Sequence, residues 1–343
     1  MRRLVLNMRD ERPIWSPPAW VAARIRDTLP PDWELVEVAA PVTGSGDGGG
    51  VSAEALIAIR GAEAYLGMGL PKALLAAALE PPCRLRWVHS GAAGVASLLH
   101  PELGLHDIVL TNSAGIHGPP MAESVLGMIL YFARGFDHAV RARSGREWGA
   151  TAFQADGSGV REVAGATLGI IGLGGVGREV ARRARALGMD VLAIRRRPDL
   201  VDDAEVLHGD DALDRLLALS DYVVVTAPST SATRGLIDAE RIARMRPGSV
   251  FINVARGDLV DEVALIDALR RGHLRGAALD VFRDEPLPPS SALWDLDNVL
   301  ITPHVSATTP HFWERETELL LENLRRYLAG RALRNTVDPD AGY

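Results

Sequence analysis

The chain has 343 residues, of which 47% are hydrophobic and 24% charged, and carries a formal net charge of −7. That is the make-up of an ordinary globular protein of about two domains, and its interspersed acids and bases argue against a nucleic-acid surface. The one cysteine, Cys83, excludes an intrachain disulfide and a cysteine metal cluster.

After Met1 a short apolar stretch gives way at once to Arg9, Asp10, Glu11 and Arg12, too soon for a signal-peptide core. The longest apolar run, Val125 to Ala133, is too short to cross a bilayer. A cytoplasmic location is therefore the expectation by default, with no membrane and no nucleic-acid partner. Short strands are predicted at Leu4–Leu6, Glu34–Val38, Ala64–Leu66, Leu85–His89 and Ile108–Leu110, and helices at Ala19–Thr28, Ser52–Ile59 and Lys72–Leu79. This alternation is βαβ rhythm, hence a parallel sheet with helices on its faces. Gly44 to Gly50 is glycine-rich, but no Lys-Ser/Thr follows, so a flexible surface loop is expected there rather than a phosphate loop. Cys83, in PPCRLRWV, reads as a packing residue and not as a nucleophile.

Thr111 to Pro120 forms a turn-rich joint. Beyond it Val125, Met128, Ile129, Phe132 and Phe136 recur at helical spacing, which predicts one long helix over Met121–Arg143. Its length suits an element that crosses between domains or packs on a second subunit.

A second series of six strands follows: Thr167–Ile171, Asp190–Ile194, Tyr222–Thr226, Ser249–Val254, Gly276–Leu279 and Val299–Thr302. The first runs straight into Gly172-Leu-Gly174-Gly175-Val176-Gly177 and then into a helical pattern, which is the setting a dinucleotide motif requires. Gly172 suits the tight turn, Gly174 a close approach to pyrophosphate, and Gly177 the packing of helix on strand. The helix start offers unpaired N–H groups and the positive end of its dipole. Ala227 and Pro228, and Val254 and Ala255, end the third and fourth of these strands and join the candidate cofactor set. At the end of the second strand an NAD site usually carries an acid for the ribose. This chain has Arg195, Arg196 and Arg197 there, three guanidinium groups suited to a 2′-phosphate. NADP(H) is therefore expected in preference to NAD(H), with NAD(H) still possible. The last helix, about Pro310–Leu328, is expected to return to the first domain. That gives a discontinuous substrate domain, 1–112 plus 305–343, and a dinucleotide-binding domain, 113–304.

Three residues at predicted strand ends carry candidate chemistry. Arg256 offers a fork of donors to a carboxylate and carbonyl, His304 can exchange a proton near neutral pH, and Glu285 can orient the imidazole. The bland readings are an Arg256 paired with Asp258 or Asp261, a surface Glu285 and a merely structural His304. Together the three are the parts needed to reduce a 2-keto acid beside a bound nicotinamide.

Along nearly its whole length the chain resembles the D-isomer-specific 2-hydroxyacid dehydrogenases. The matching stretches are WVHSGAAGV, TNSAGIHGPPMAESVLGMIL, GIIGLGGVG, FINVARGDLVDEVALIDAL, GAALDVFRDEPLP and NVLITPHVSATT. The resemblance implies two doubly wound α/β domains, a Rossmann cofactor domain and a flavodoxin-like substrate domain, and a homodimer. By resemblance Arg256 binds and polarises the keto acid, His304 donates the proton and Glu285 holds His304. Asp280 and His304 would lie at the nicotinamide, with Asp280 on its carboxamide, and N–H groups at Gly94 and Val95 would hold the substrate carboxylate. Formate dehydrogenases of this fold carry Gln where Glu285 stands, which disfavours that activity. Small and apolar residues (Gly67, Met68, Ala92 and Ala93) suggest a compact, uncharged substituent, and the resemblance implies a 2-keto acid of the glyoxylate or hydroxypyruvate kind. A dinucleotide-sensing or corepressor-like protein of the same fold is the alternative.

Overall fold

The computed structural model describes residues 1–42, 51–95, 98–196 and 203–339. The glycine-rich Gly44–Gly50 and Arg197 lie outside the described residues. The chain divides into two compact units, Met1–His117 with Thr308–Tyr343, and Gly118–Ala307.

In the first unit five strands, β1 (Arg2–Asn7), β2 (Trp33–Glu37), β3 (Ala64–Gly67), β4 (Trp87–Ser90) and β5 (Val109–Asn112), form a sheet in the order β2-β1-β3-β4-β5. Every pairing is parallel, and the order is the flavodoxin-like one. Successive side chains take opposite faces, as a pleated strand requires. Leu4, Leu6, Ala64, Leu66 and Trp87 pack with Val21, Ile25, Phe312, Leu320 and Leu324, whereas Val5, Tyr65 and Val88 pack with Ala55, Ile59, Leu74 and Leu75. The C-terminal helix Phe312–Leu328 thus supplies one wall of the core that the first residues of the chain begin. Its Tyr327 hydroxyl donates to Glu63 Oε1 (2.8 Å), and Arg2 Nε donates to Glu63 Oε2 (2.8 Å).

In the second unit β6 (Thr167–Ile171), β7 (Asp190–Ile194), β8 (Glu205–Val206), β9 (Tyr222–Val225), β10 (Val250–Asn253), β11 (Gly276–Leu279) and β12 (Val299–Ile301) form a parallel sheet in the order β8-β7-β6-β9-β10-β11-β12. From β6 the chain winds outward in one direction and then, from β9, in the other, so β6 and β9 flank the switch point where doubly wound sheets bind ligands. Strands such as YVVV and VFIN are buried on both faces, which is why they read as continuous apolar runs. The seventh strand, β8, was not among the six expected. Two residues at a sheet edge are too few to show a period.

The helix expected over Met121–Arg143 is two helices, Gly118–Ala133 and Phe136–Gly145. Gly135 breaks it with φ of +68°, a conformation open to glycine. The first helix buries Ala122, Val125, Met128, Ile129 and Phe132 in one cluster with Val180, Ala181 and Ala184. Phe136 keeps the spacing but lies past the break and is 52% exposed. The second helix is anchored by Asp137, buried, which accepts two hydrogen bonds from Arg275 Nη2 (2.9 and 2.8 Å) and one from Arg141 Nη2 (3.2 Å).

The joints between units fall a few residues beyond 112/113 and 304/305, and local hydrogen bonds explain the shift. Asn112 and Ser113 bond back to the turn after β4, and the N–H groups of Val305 and Ser306 bond to Asp280.

Candidate active site

The turn after β6 tests the three glycines separately. Gly172 has φ of +101°, and a Cβ there would lie 2.6 Å from Ala227 N at the end of β9. A Cβ on Gly177 would lie 2.3 Å from Gly172 O. Both positions are closed by the protein itself, so any side chain would push strand and helix apart. A Cβ on Gly174 would meet nothing within 4 Å. Gly174 therefore borders open space, where a bare backbone serves the approach of a ligand and not packing. The helix Gly175–Ala186 starts here with Gly174 as an N-cap that supplies no side-chain oxygen, so its first N–H groups are available to an anion. Thr226 at the end of β9 donates to Gly172 O and fixes the floor of the turn. These residues fit a dinucleotide pyrophosphate. Ala227 is buried and Pro228 exposed beside the turn. Arg195, half-buried, and Arg196, exposed, follow β7 directly.

The polar cluster lies at the ends of β10, β11 and β12. Asn253 closes β10, and its side chain shapes the turn: Oδ1 accepts from Ala255 N (3.0 Å) and Nδ2 donates to Arg256 O (2.9 Å). Val254 and Ala255 are buried behind it. Arg256 follows, half-buried, with Nη1 donating to Ala255 O (2.7 Å). It pairs with neither nearby acid. Asp258 takes Ser229 Oγ (2.7 Å) and Arg234 Nε (3.2 Å), and Asp261 caps a helix through Ala264 N (3.0 Å). Gly257 then passes so close to the turn after β11 that a Cβ would fall 1.9 Å from the carbonyl carbon of Phe282. That approach sets the Arg256 turn against the Glu285 turn.

Glu285 uses both oxygens. Oε1 accepts from Phe282 N (2.9 Å), and Oε2 faces His304 Nδ1 at 2.7 Å. A carboxylate only accepts, so the imidazole proton sits on Nδ1 and Nε2 is the nitrogen turned away. The pair is not sealed from solvent, with side chains 34% and 48% exposed. His304 itself has φ of +55°. Asp280, fully buried at the exit of β11, holds it there. Its carbonyl accepts from His304 N (2.8 Å), Oδ1 accepts from Thr302 Oγ1 (2.6 Å) and Val305 N (2.9 Å), and Oδ2 accepts from Ser306 N (3.0 Å). The Asp280 carboxylate is turned into the His304 loop.

The structure thus brings Glu285 and His304 into direct contact and sets the Arg256 turn beside them, with no direct hydrogen bond from Arg256 to either. Gly94 and Val95 belong to the other unit, in the turn after β4, where Gly94 is half-exposed and Val95 buried. Among the described residues no group of three or more His, Cys, Asp and Glu could hold a metal ion, and Cys83 is a half-buried free thiol. Asn253, Gly257 and the scaffolding use of Asp280 escaped the sequence. The available signal was a polar residue closing an apolar strand, as Asn253 does in VFIN.

The family model for the NAD-binding domain of D-isomer specific 2-hydroxyacid dehydrogenases matches residues 126–306. The chain belongs to that family. It is 39% identical over 229 residues to an (S)-sulfolactate dehydrogenase of Chromohalobacter salexigens, covering 66% of this chain and 72% of the relative. It is 34% identical over 284 residues to glyoxylate/hydroxypyruvate reductase B of Serratia proteamaculans, covering 82% of this chain and 86% of the relative. A solved D-isomer specific 2-hydroxyacid dehydrogenase from Xanthobacter autotrophicus Py2, in complex with NADPH and MES, superposes with a TM-score of 0.80 at 32% identity over 100% of this chain and 99% of that one. Two parallel-sheet α/β units are the architecture of this dehydrogenase family. Among the described residues no helix is long and apolar enough to cross a membrane.

Proposed function

We propose that the protein reduces a small 2-keto acid of the glyoxylate or hydroxypyruvate kind to the D-2-hydroxy acid, with NADPH preferred over NADH. The observation that carries this reading is the His304–Glu285 contact at 2.7 Å, beside the Arg256 turn and at the same carboxyl edge of the sheet as the glycine turn after β6. When bound, the reduced nicotinamide supplies the hydride. Gly174, Gly175 and Val176 hold the pyrophosphate through backbone N–H groups, between Gly172 and Gly177. Ala227, Pro228, Val254 and Ala255 line the approach of the cofactor, and Asp280 with His304 borders its nicotinamide end. Arg256 binds the keto acid through its guanidinium fork and draws electron density toward the carbonyl oxygen. His304, as the imidazolium with a proton on each ring nitrogen, gives the one on Nε2 to that oxygen as it gains charge, and Glu285 keeps the ring in line through Nδ1. Gly94 and Val95 belong to the backbone that takes the substrate carboxylate.

The cofactor preference is supported by Arg195, Arg196 and Arg197 in place of the acid that serves a ribose hydroxyl. The NADPH complex of the Xanthobacter relative supports it as well. We take the molecule to be a cytoplasmic homodimer paired through the nucleotide-binding unit. Trp148, Phe136 and Val140, exposed at 96%, 52% and 46%, support that pairing.

The test is a panel of keto acids followed by absorbance at 340 nm with NADPH and NADH in parallel. Turnover of glyoxylate or hydroxypyruvate at least about tenfold more efficient with NADPH is the expected outcome, the scale of a charge-assisted hydrogen bond. Equal efficiency with both cofactors ends the NADP assignment. Tight NADPH binding with no turnover on any acid replaces the reductase by a dinucleotide sensor.

A further inference from the structure

The backbone that carries Arg256 is fastened on both sides of it. On the N-terminal side Asn253 Nδ2 donates to Arg256 O (2.9 Å). On the C-terminal side the chain turns through Gly257–Leu259 and zips onto the segment that follows β9. Gly235 N donates to Asp258 O (2.8 Å), Ile237 N to Leu259 O (2.9 Å) and Asp261 N to Ile237 O (2.9 Å). These backbone bonds stop at Asp258. Among the described residues, the only further hydrogen bonds that tie the Arg256 turn to that segment are made by the Asp258 side chain. Its Oδ2 accepts from Ser229 Oγ (2.7 Å) and from Arg234 Nε (3.2 Å). Ser229 sits on a closed turn of its own, since Thr233 Oγ1 donates to Pro228 O (2.6 Å) and accepts from Thr230 N (2.8 Å).

Two observations single Asp258 out. Its Oδ1 is shut off from solvent and takes no hydrogen bond among the described residues. A buried acceptor without a donor costs stability, so stability alone does not account for a carboxylate here. The second is where its charge goes. With Oδ2 occupied by Ser229 and Arg234, Asp258 leaves the Arg256 guanidinium, two residues away, without a carboxylate partner. Of the two contacts, the one to Arg234 is an ion pair whose arginine side chain is 69% exposed, and it contributes little. The shorter bond from Ser229, between two half-buried residues, is the one that holds the turn.

We propose that Asp258 is a positioning residue for Arg256, and that through Ser229 it fixes the turn from which the guanidinium meets the keto acid. The role rests on the keto-acid reading above, and Asp258 itself touches no reacting group. Asp258→Ala should raise KM for glyoxylate about 3–10-fold, the net worth of one hydrogen bond. Oxamate, an unreactive carboxylate, should bind the NADPH complex more weakly by the same factor in a fluorescence titration. The Kd for NADPH alone should stay within about twofold. Loss of folded protein lowers kcat only, so it does not produce this split. Asp258→Asn keeps an oxygen for the Ser229 hydroxyl and should return KM to within about twofold of the parent. Ser229→Ala should match Asp258→Ala, and the double variant should be no worse than either, because both substitutions delete one contact. Ser229→Ala leaves every backbone bond of the zip in place, which covers the case in which Asp258→Ala does not fold. Folded variants with unchanged KM for glyoxylate and unchanged oxamate affinity overturn the proposal, while parental turnover in that experiment leaves the keto-acid reading standing. Additive losses in the double variant overturn it too, since the two side chains would then act through separate contacts. A parent that turns over no keto acid ends the reading, and the oxamate titration still decides the role of Asp258. An NADPH complex that takes up neither glyoxylate nor oxamate ends both.

Discussion

His304 occupies a left-handed backbone conformation that costs a residue with a side chain roughly 1–2 kcal/mol. Asp280 offsets that cost by gripping the loop on both sides of the ring, at Thr302 and at Val305 and Ser306. The imidazole is therefore aimed by backbone, and Glu285 sets only its rotation. His304→Ala should lower kcat about 10²–10⁴-fold, the usual worth of a positioned general acid, while NADPH binding stays intact. Glu285→Gln should fall between that variant and the parent, since the amide can still accept from Nδ1. Stopped-flow hydride transfer and NADPH fluorescence titration separate the two effects, and near-parental turnover in His304→Ala removes the residue from its role. Arg256 and His304 stood out in the sequence because each follows an apolar strand, and Glu285 because it lies in the polar turn after β11. Gly257 and the scaffolding use of Asp280 were not, because both depend on turns more than 20 residues apart in the chain coming into contact.

Among the elements, strands of apolar residues and helices with apolar residues at helical spacing were read within a residue or two; Ala19–Thr28 and Lys72–Leu79 fall where the pattern put them. The misreading at Gly135 has a physical cause. Apolar spacing survived the break, and only the backbone at one glycine ended the helix. The C-terminal helix gives the clearest energetic test at this scale. Arg2 hydrogen-bonds Glu63 and holds its carboxyl below the ordinary carboxylate range, with a further hydrogen bond from Tyr327 acting in the same direction. A carboxyl whose folded-state value is lowered adds stability above its unfolded value, and that stability is lost as pH falls through the folded one. Glu63→Gln should thus lower the thermal midpoint at pH 7 by roughly 2 °C, corresponding to about 0.5–1 kcal/mol for a largely solvent-screened pair. Melting curves of the two proteins should converge near pH 3; a gap that persists there would show that the carboxylate charge is not its source.

At the scale of the whole molecule, each of the four apolar clusters draws its residues from one unit alone. The segment 118–307 has two complete cores, one on each face of its sheet, and both sides of the glycine turn. Expressed by itself it should melt cooperatively by circular dichroism and bind NADPH with the fluorescence change of the full chain. A molten segment without a sharp transition would show that its sheet depends on the rest of the protein. Residues 1–117 by themselves have no such independence, because Phe312, Leu320 and Leu324 are walls of their core and Glu316 is the only carboxylate hydrogen-bonded to His89 among the described residues. On the ribosome this reverses the usual order of maturation. The nucleotide-binding half, made second, can close while the opening hundred residues still wait, their buried imidazole without its carboxylate partner, for a helix that has yet to be translated.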